Sequence, residues 1–210
     1  MHVIDHVFVF CGRGAPEQQL LVAKGLRVGV QRQHPGQGTA NVCFGFANAY
    51  LELLWLDSEA EARLPMVRPL GLQERARWRE TNASPFGVCV RPVSPGAVPP
   101  FVQWDYRPAY LPPGLTIQMA CNSGVLGEPM LFAVDRPFQP FDTGHGMAGA
   151  QLAQTTITVP DLAPMSLLRE VAVPGLSIQA GPEPLMELSF EHGGGAVLDL
   201  RPQLPLVLRH

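Results

Sequence analysis

An α+β fold assembled from a repeated β-α-β-β-β module is what this sequence predicts, and three observations predict it. Short runs with period-2 apolar alternation recur along the chain, separated by Gly- and Pro-rich turns. A short segment with helix start and stop signals follows the first of these runs. The same order of elements, with fragments of the same wording, returns near the C-terminus, as expected of two copies of one supersecondary unit.

The first strand spans Val3 to Cys11, with Val7 and Val9 pointing one way and His6, Phe8 and Phe10 the other. Pro16 and Glu17 open a short helix that carries Leu20, Leu21 and Ala23 and stops at Gly25. Leu26 to Val30 is the second strand. The turn His34-Pro35-Gly36-Gln37-Gly38 leads into a third, Ala40 to Phe46, in which Val42, Phe44 and Phe46 alternate with Asn41 and Cys43. After Asn48-Ala49 comes a fourth, Tyr50 to Leu56.

Near the C-terminus the order is strand Leu152 to Val159, helix Pro164 to Val171, and strands Leu176 to Gln179, Pro184 to Phe190 and Ala196 to Leu200. Gly25-Leu26-Arg27-Val28 is echoed by Gly175-Leu176-Ser177-Ile178, and Ala49-Tyr50-Leu51-Glu52-Leu53 by Ala196-Val197-Leu198-Asp199-Leu200. Between the copies lie a helix, Leu72 to Glu80, and strands around Phe86 to Val90, Phe101 to Tyr106, Leu115 to Ala120 and Met130 to Val134. The middle piece reads as a degenerate module in which the loop Ser94 to Pro100 stands where a helix would be. The division expected is residues 1–60, 61–145 and 146–210, packed as one compact unit.

A chain of 210 residues with 46% hydrophobic and 16% charged residues can bury a full core. A net charge of −3 without any basic run argues against a nucleic-acid partner. No stretch approaches the roughly 18 to 20 apolar residues of a membrane span. Met1 runs directly into the first strand without an export signal, and the four cysteines have no CxxC grouping, so buried thiols and a cytoplasmic location are expected. No phosphate loop, dinucleotide fingerprint or nucleophilic-serine setting is present.

His6 and Glu52 are the sharpest polar pair, each flanked by hydrophobic residues on a strand. An imidazole and a carboxylate suit Zn²⁺, Ni²⁺, Fe²⁺ or Mn²⁺, and they equally suit a structural hydrogen bond across a sheet. Asp5 can pin a loop or support the imidazole. His34, Thr39 and Asn41 flank a Gly-rich turn that either holds an oxyanion or simply needs positive φ. Arg91, Trp104, Tyr106 and Tyr110 are candidates to line an apolar pocket with a cation for a carboxylate-bearing substrate. His145, in Gly144-His145-Gly146, is a candidate general base or a surface loop residue. Arg75, Arg77 and Arg79 against Glu74 and Glu80 read as a solvated helix face with helical charge pairs.

Ile4-Asp5-His6-Val7, the turn from His34 through Asn41, and Ala49-Tyr50-Leu51-Glu52-Leu53 together resemble the glyoxalase-like domain of the vicinal oxygen chelate superfamily. The resemblance implies an open, cupped mixed sheet with a divalent metal between paired modules, chelating two adjacent oxygens of a small metabolite. It implies a lyase, isomerase or dioxygenase, or else a metal-free protein that sequesters a small molecule. His6 and Glu52 match the ligand positions on the first and fourth strands of a module. Completing the set falls to Gln154 or Thr156, with Asp199, if the C-terminal copy pairs with the first, or to Gln118 if the middle module does. Small molecules are the expected partners, and either a monomer or a homodimer is allowed.

Overall fold

The computed structural model describes residues 1–138, 149–160, 166–191 and 194–210. The first module comprises β1 (His2–Phe10), α1 (Gln18–Val22), β2 (Val28–His34), β3 (Thr39–Gly45) and β4 (Tyr50–Leu56). Its strands lie in the order β2-β3-β4-β1, with β1 parallel to β4 and the other neighbours antiparallel. Next come the short helices α2 (Glu59–Ala62), α3 (Leu72–Ala76) and α4 (Trp78–Thr81). The strands β5 (Phe86–Pro92), β6 (Gln103–Tyr106), β7 (Ile117–Ala120) and β8 (Met130–Val134) repeat the wiring, with β5 parallel to β8 and the order β5-β8-β7-β6. Residues 93–102 form turns and coil where the first module has α1. Antiparallel pairing of β1 with β5 joins the two quartets into one eight-stranded sheet.

The C-terminal strands are β9 (Leu152–Val159), β10 (Leu176–Ala180), β11 (Leu185–Phe190), β12 (Val197–Asp199) and β13 (Leu206–Arg209). They keep the linear order read from the sequence but are wired differently. Here β9 lies between β10, parallel to it, and β11, antiparallel to it, and β13 inserts between β11 and β12. Linear order does not determine pairing, and the extra strand at 206–209 takes the place beside β11. The helix expected over 164–171 is a single 3-10 turn at Leu167–Arg169, and residues 161–165 lie outside the described residues.

Each face of the large sheet has its own packing partner. Val7, Val9, Val42, Phe44, Leu51, Leu53, Phe86 and Val88 face the five-stranded sheet and share one core with Ile157, Met186, Leu188, Leu206 and Leu208. Phe46 packs edge-on against Phe190, and the Asn48 side chain bonds the backbone of Leu152 in both directions. The opposite face carries Phe8, Phe10, Leu54, Cys89, Met119, Met130 and Phe132, packed with Leu70 and Leu72. With its back covered, the eight-stranded sheet opens only on this second face. No helix of the described residues is long and apolar enough to cross a membrane. Cys43 and Cys89 are buried free thiols as expected, Cys11 is half-buried, and Cys121 is exposed.

The helical face read as solvated is corrected by the structure. A break at Arg77 (φ −105°, ψ 33°) divides the segment into α3 and α4, and Arg75 on α3 is fully buried. Arg77 pairs with Glu59 across space at 2.6 Å, and Arg79 donates to the carbonyls of Pro202 and Gln203 while stacking on Trp78.

The β2–β3 turn depends on Gly38, whose φ of +81° lies in the left-handed region. A Cβ there would collide with the backbone oxygen of Ser58 and lie 2.8 Å from the amide nitrogen of Ala62. Gly38→Ala is therefore expected to lower the unfolding free energy by about 1–3 kcal/mol. Urea denaturation checks this, and an unchanged midpoint would show that the turn is not held against α2.

Candidate functional site

The open face of the sheet encloses a cavity of about 880 Å³. Its first module contributes the polar groups His6 from β1, His34 from the end of β2, Asn41 from β3, Glu52 from β4 and Gln37 from the β2–β3 turn. Its second-module wall carries an apolar strip, Met119 from β7 and Met130, Phe132 and Val134 from β8, flanked by Asp105, Gln118, Asp135 and Arg136; Phe8, Leu54, Leu70 and Leu72 also line the cavity.

A β-bulge sets the central dyad. On β1, Ile4 pairs with Val90 and His6 with Cys89, leaving Asp5 as the extra residue. Without the bulge Ile4 and His6 would point the same way; with it, Ile4 joins the back core while His6 lines the cavity. The bulge also brings Asp5 beside its neighbour, so that Asp5 Oδ1 lies 2.7 Å from His6 Nδ1. A carboxylate only accepts, so the imidazole carries its proton on Nδ1 and leaves the Nε2 lone pair free. Nε2 lies 3.9 Å from Glu52 Oε1. The ring stacks on Tyr50 (centroids 4.4 Å, 17° between planes) and meets Phe132 edge-on at 5.5 Å.

Asp5 is fully buried. Burial opposes its ionisation, but the hydrogen bond from His6 and the charges of Arg136 and Arg91 outweigh it and hold the carboxyl below its ordinary range. Arg136 Nη2 lies 3.6 Å and Arg91 Nε 4.0 Å from this carboxylate. Burial, with the nearby charges of Glu52 and Asp5, pushes the Tyr50 hydroxyl well up. The Cys43 thiol, 3.8 Å from Glu52 Oε1, is pushed up by burial and that carboxylate, and the Cys89 thiol by burial and Asp5.

A second polar cluster closes the mouth. Gln37 Nε2 donates to Thr39 Oγ1 at 2.8 Å, and His34 Nδ1 lies 2.9 Å from the same oxygen. Having accepted from Gln37, the hydroxyl can give its own proton to His34. Tyr106 and Tyr110 both donate to Gln37 Oε1, and Tyr110 packs on the His34 ring at 4.7 Å, so the second module's β6–β7 connection meets the first module's turn. Burial lowers the His34 pKa from its ordinary 6.5, with Glu52 opposing and Arg32 and His6 assisting. The unfolded chain then binds a proton below pH 6.5 that the folded chain refuses, so stability falls as pH drops from there toward the native value. The thermal midpoint is expected to decrease between about pH 7 and about pH 5, and His34→Gln to flatten that decrease. An identical slope in the variant would contradict the assignment.

The structure brings together only some of the residues singled out from sequence. His6 and Glu52 meet, and His34 and Asn41 line the same cavity with Tyr106, Tyr110 and Gln118. Thr39 supports His34 and Gln37 from behind. Gln118 lies on β7, so it does not hold the position equivalent to Glu52; counting from β5, the fourth strand is β8, which turns Met130, Phe132 and Val134 to the cavity. Gln154 and Asp199 belong to the five-stranded sheet, where Gln154 bonds Ser177 and Asp199 makes a bidentate pair with Arg201. Neither lines the cavity. Arg91 donates to the carbonyls of Ile4 and Asn48, and Trp104 donates to Ser123, both away from the lining. His145 lies outside the described residues. Sequence reading missed Gln37 and Arg136 in the lining, because nothing in their local pattern separates them from loop polar residues.

A glyoxalase-like domain profile matches residues 4–113. The chain therefore belongs to the glyoxalase-like domain family, within the vicinal oxygen chelate superfamily. Among solved structures, it is similar to a hypothetical protein from Staphylococcus aureus at 11% identity, covering 100% of this chain and 99% of that one, with a TM-score of 0.49. It is also similar to a Streptomyces coelicolor methylmalonyl-CoA epimerase, in complex with 2-nitronate-propionyl-CoA, at 15% identity over 63% of this chain and 92% of that one (TM-score 0.42). A methylmalonyl-CoA epimerase from Mycobacterium tuberculosis matches at 11% identity over 64% and 88% (TM-score 0.41). No curated protein matches the sequence.

The superfamily's divalent metal would draw ligands from both modules, and a catalytic ion usually needs three protein donors plus an open position. In the first module two donors, His6 Nε2 and Glu52, lie 3.9 Å apart; His34, Asp105 and Asp135 also line the cavity but form no close group with them among the described residues. On the second module, β5 presents Gly87, where a Cβ would collide with the Phe8 ring, and the buried thiol of Cys89, while β8 presents Met130, Phe132 and Val134. Among the described residues one group of three potential ligands lies close together: Asp5, His6 and Cys89. There Asp5 is already engaged by the His6 ring and two arginines, and burial keeps the thiol protonated. The described donor set does not fit a divalent-metal centre.

Proposed function

We propose that this chain is a small-molecule enzyme of the isomerase or lyase type that moves a proton with His6 and Glu52, without a metal. The observation that carries the reading is the Asp5–His6–Glu52 arrangement, with an imidazole lone pair and a carboxylate 3.9 Å apart in one buried wall of the cavity. His6 Nε2 removes a proton from a carbon next to a carbonyl. The C–H electron pair stays on the ligand as an enolate, and the proton passes to the imidazole, whose new charge faces Asp5. Return of that proton to another carbon or face, from His6 directly or after His6 has passed it to Glu52, completes an isomerisation; loss of a neighbouring leaving group completes an elimination. Neither needs an oxidant. The apolar strip of Met119, Met130 and Phe132 limits the water that competes for the proton.

Solvent-deuterium exchange tests this whatever the final product is. Ketones and hydroxyketones with apolar substituents are incubated with the protein in heavy water and read by mass spectrometry. The wild type is expected to label at least one of them, and His6→Gln to slow labelling by about 10²–10⁴-fold. Equal rates in both would remove His6 from the chemistry. Binding without turnover is the second reading, favoured by the second-module wall of Met119, Met130, Phe132 and Val134. It predicts ligand binding with no exchange.

A further inference from the structure

Resting on that reading of His6 and Glu52, we propose that the cavity selects an amphiphile whose head presents O–H or N–H donors rather than a carboxylate, and whose apolar body lies on β7 and β8. Within the cavity a polar end on β1, β3 and β4 faces an apolar strip on β7 and β8. Its head end holds His6, Asn41 and Glu52, each at least nine-tenths buried, and its body end holds Met119, Met130 and Phe132.

The head end offers acceptors. Glu52 as a carboxylate only accepts, and His6 accepts at Nε2 because its Nδ1 proton is committed to Asp5. Asn41 is 1% exposed, and its Oδ1 has no hydrogen-bond partner among the described residues. A buried amide oxygen without a partner is costly, and turning this side chain toward the cavity lets the oxygen accept from an O–H or N–H of the ligand. In the β3–β4 register Cys43 is opposite Glu52 and Asn41 opposite Leu54, so Asn41 is the diagonal neighbour of Glu52 on the same face.

The cations near this end do not reverse the preference. Arg136 donates to the Tyr50 hydroxyl and lies 3.6 Å from Asp5, and Arg91 is bonded to two backbone carbonyls. Arg32 lines the cavity from an exposed position at its mouth. A carboxylate reaching the head end would meet Glu52 at short range with little water to screen the repulsion. The volume of about 880 Å³ lies toward the upper end of the roughly 300–1,000 Å³ typical of drug-sized ligands, leaving room for a body well beyond a few carbons.

Calorimetric titration of the full chain with octanol, octylamine and octanoate, which share one body and differ in the head, tests the proposal. Octanol and octylamine are expected to bind at least about tenfold tighter than octanoate. In Asn41→Leu the advantage of octanol should shrink to about twofold or less, while Met119→Ala should weaken all three alike and preserve their order. The second variant keeps the test intact if the first does not fold. Tighter binding of octylamine that Glu52→Gln abolishes identifies a cationic head, and equal binding of amine and alcohol identifies a neutral donor; both support the proposal. Octanoate binding as tightly as octanol, or no binding by any of the three, would overturn it. A protein that exchanges deuterium yet prefers octanoate loses only this inference, whereas one that binds octanol and never exchanges loses the proton-transfer reading.

Discussion

Arg75→Met is expected to destabilise the fold by about 3–5 kcal/mol, the largest stability effect of any single substitution away from the apolar core. The guanidinium is fully buried, and it donates to the carbonyls of Leu70, Ser84, Ser123, Val125, Leu126 and Glu128 at 2.7–3.5 Å. One planar fork thus ties α3 to the start of β5 and to the connection between β7 and β8. Burial pulls its pKa down to about 10, against Glu74 and Glu128, so it remains charged at neutral pH. Methionine fills much of the volume but leaves these carbonyls without a donor in a dry interior. Lysine restores the charge without the fork and should recover only part of the loss. Because the same connections carry Leu70, Leu72 and Met130 into the cavity lining, ligand affinity should fall with stability. Chemical denaturation of the three proteins measures this, and a loss under about 1 kcal/mol in Arg75→Met would show that water replaces the guanidinium.

Asp5→Asn is expected to slow deuterium exchange by about 10²–10⁴-fold while leaving the chain folded. The amide keeps the shape of the carboxylate, but it can turn its NH₂ toward His6 Nδ1. That forces the imidazole proton onto Nε2 and removes the lone pair facing the cavity. It also leaves Arg136 and Arg91 without the charge they face at 3.6 and 4.0 Å, so some stability is lost as well. A purely structural role would lower stability without changing the tautomer. The ¹⁵N shifts of the His6 ring separate the two: a protonated Nδ1 in the wild type and a protonated Nε2 in the variant are the expected pattern. An unchanged tautomer together with unchanged exchange would remove Asp5 from the positioning of His6.

What can be read from the sequence follows from where the signal is local. Three strands, Tyr50–Leu56, Met130–Val134 and Leu152–Val159, have the bounds that apolar patterning assigns them. His6 and Glu52 stand out because each interrupts an apolar strand, and a buried polar group in such a place needs a partner. The role of Asp5 is not legible in that way, because period-2 alternation sends adjacent residues to opposite faces and only the bulge overrides it. The burial of Arg75 depends on carbonyls from distant segments, Ser84 and residues 123–128, which helical spacing does not announce. The wiring of the C-terminal sheet depends on long-range pairing, which a repeated linear order leaves open, so the sequence points Gln154 and Asp199 toward a site they do not reach. Phe132 escapes notice because an apolar strand residue carries no signal until its strand is known to be the fourth of its module.

The most direct test of a metal-free proton-transfer site is deuterium exchange by the wild type with and without a strong chelator, on protein whose metal content has been measured. Exchange that proceeds unchanged in the chelator, on metal-free protein, and disappears in His6→Gln is the predicted result. Exchange that the chelator abolishes and a divalent ion restores would contradict it, and would make His6 and Glu52 metal ligands.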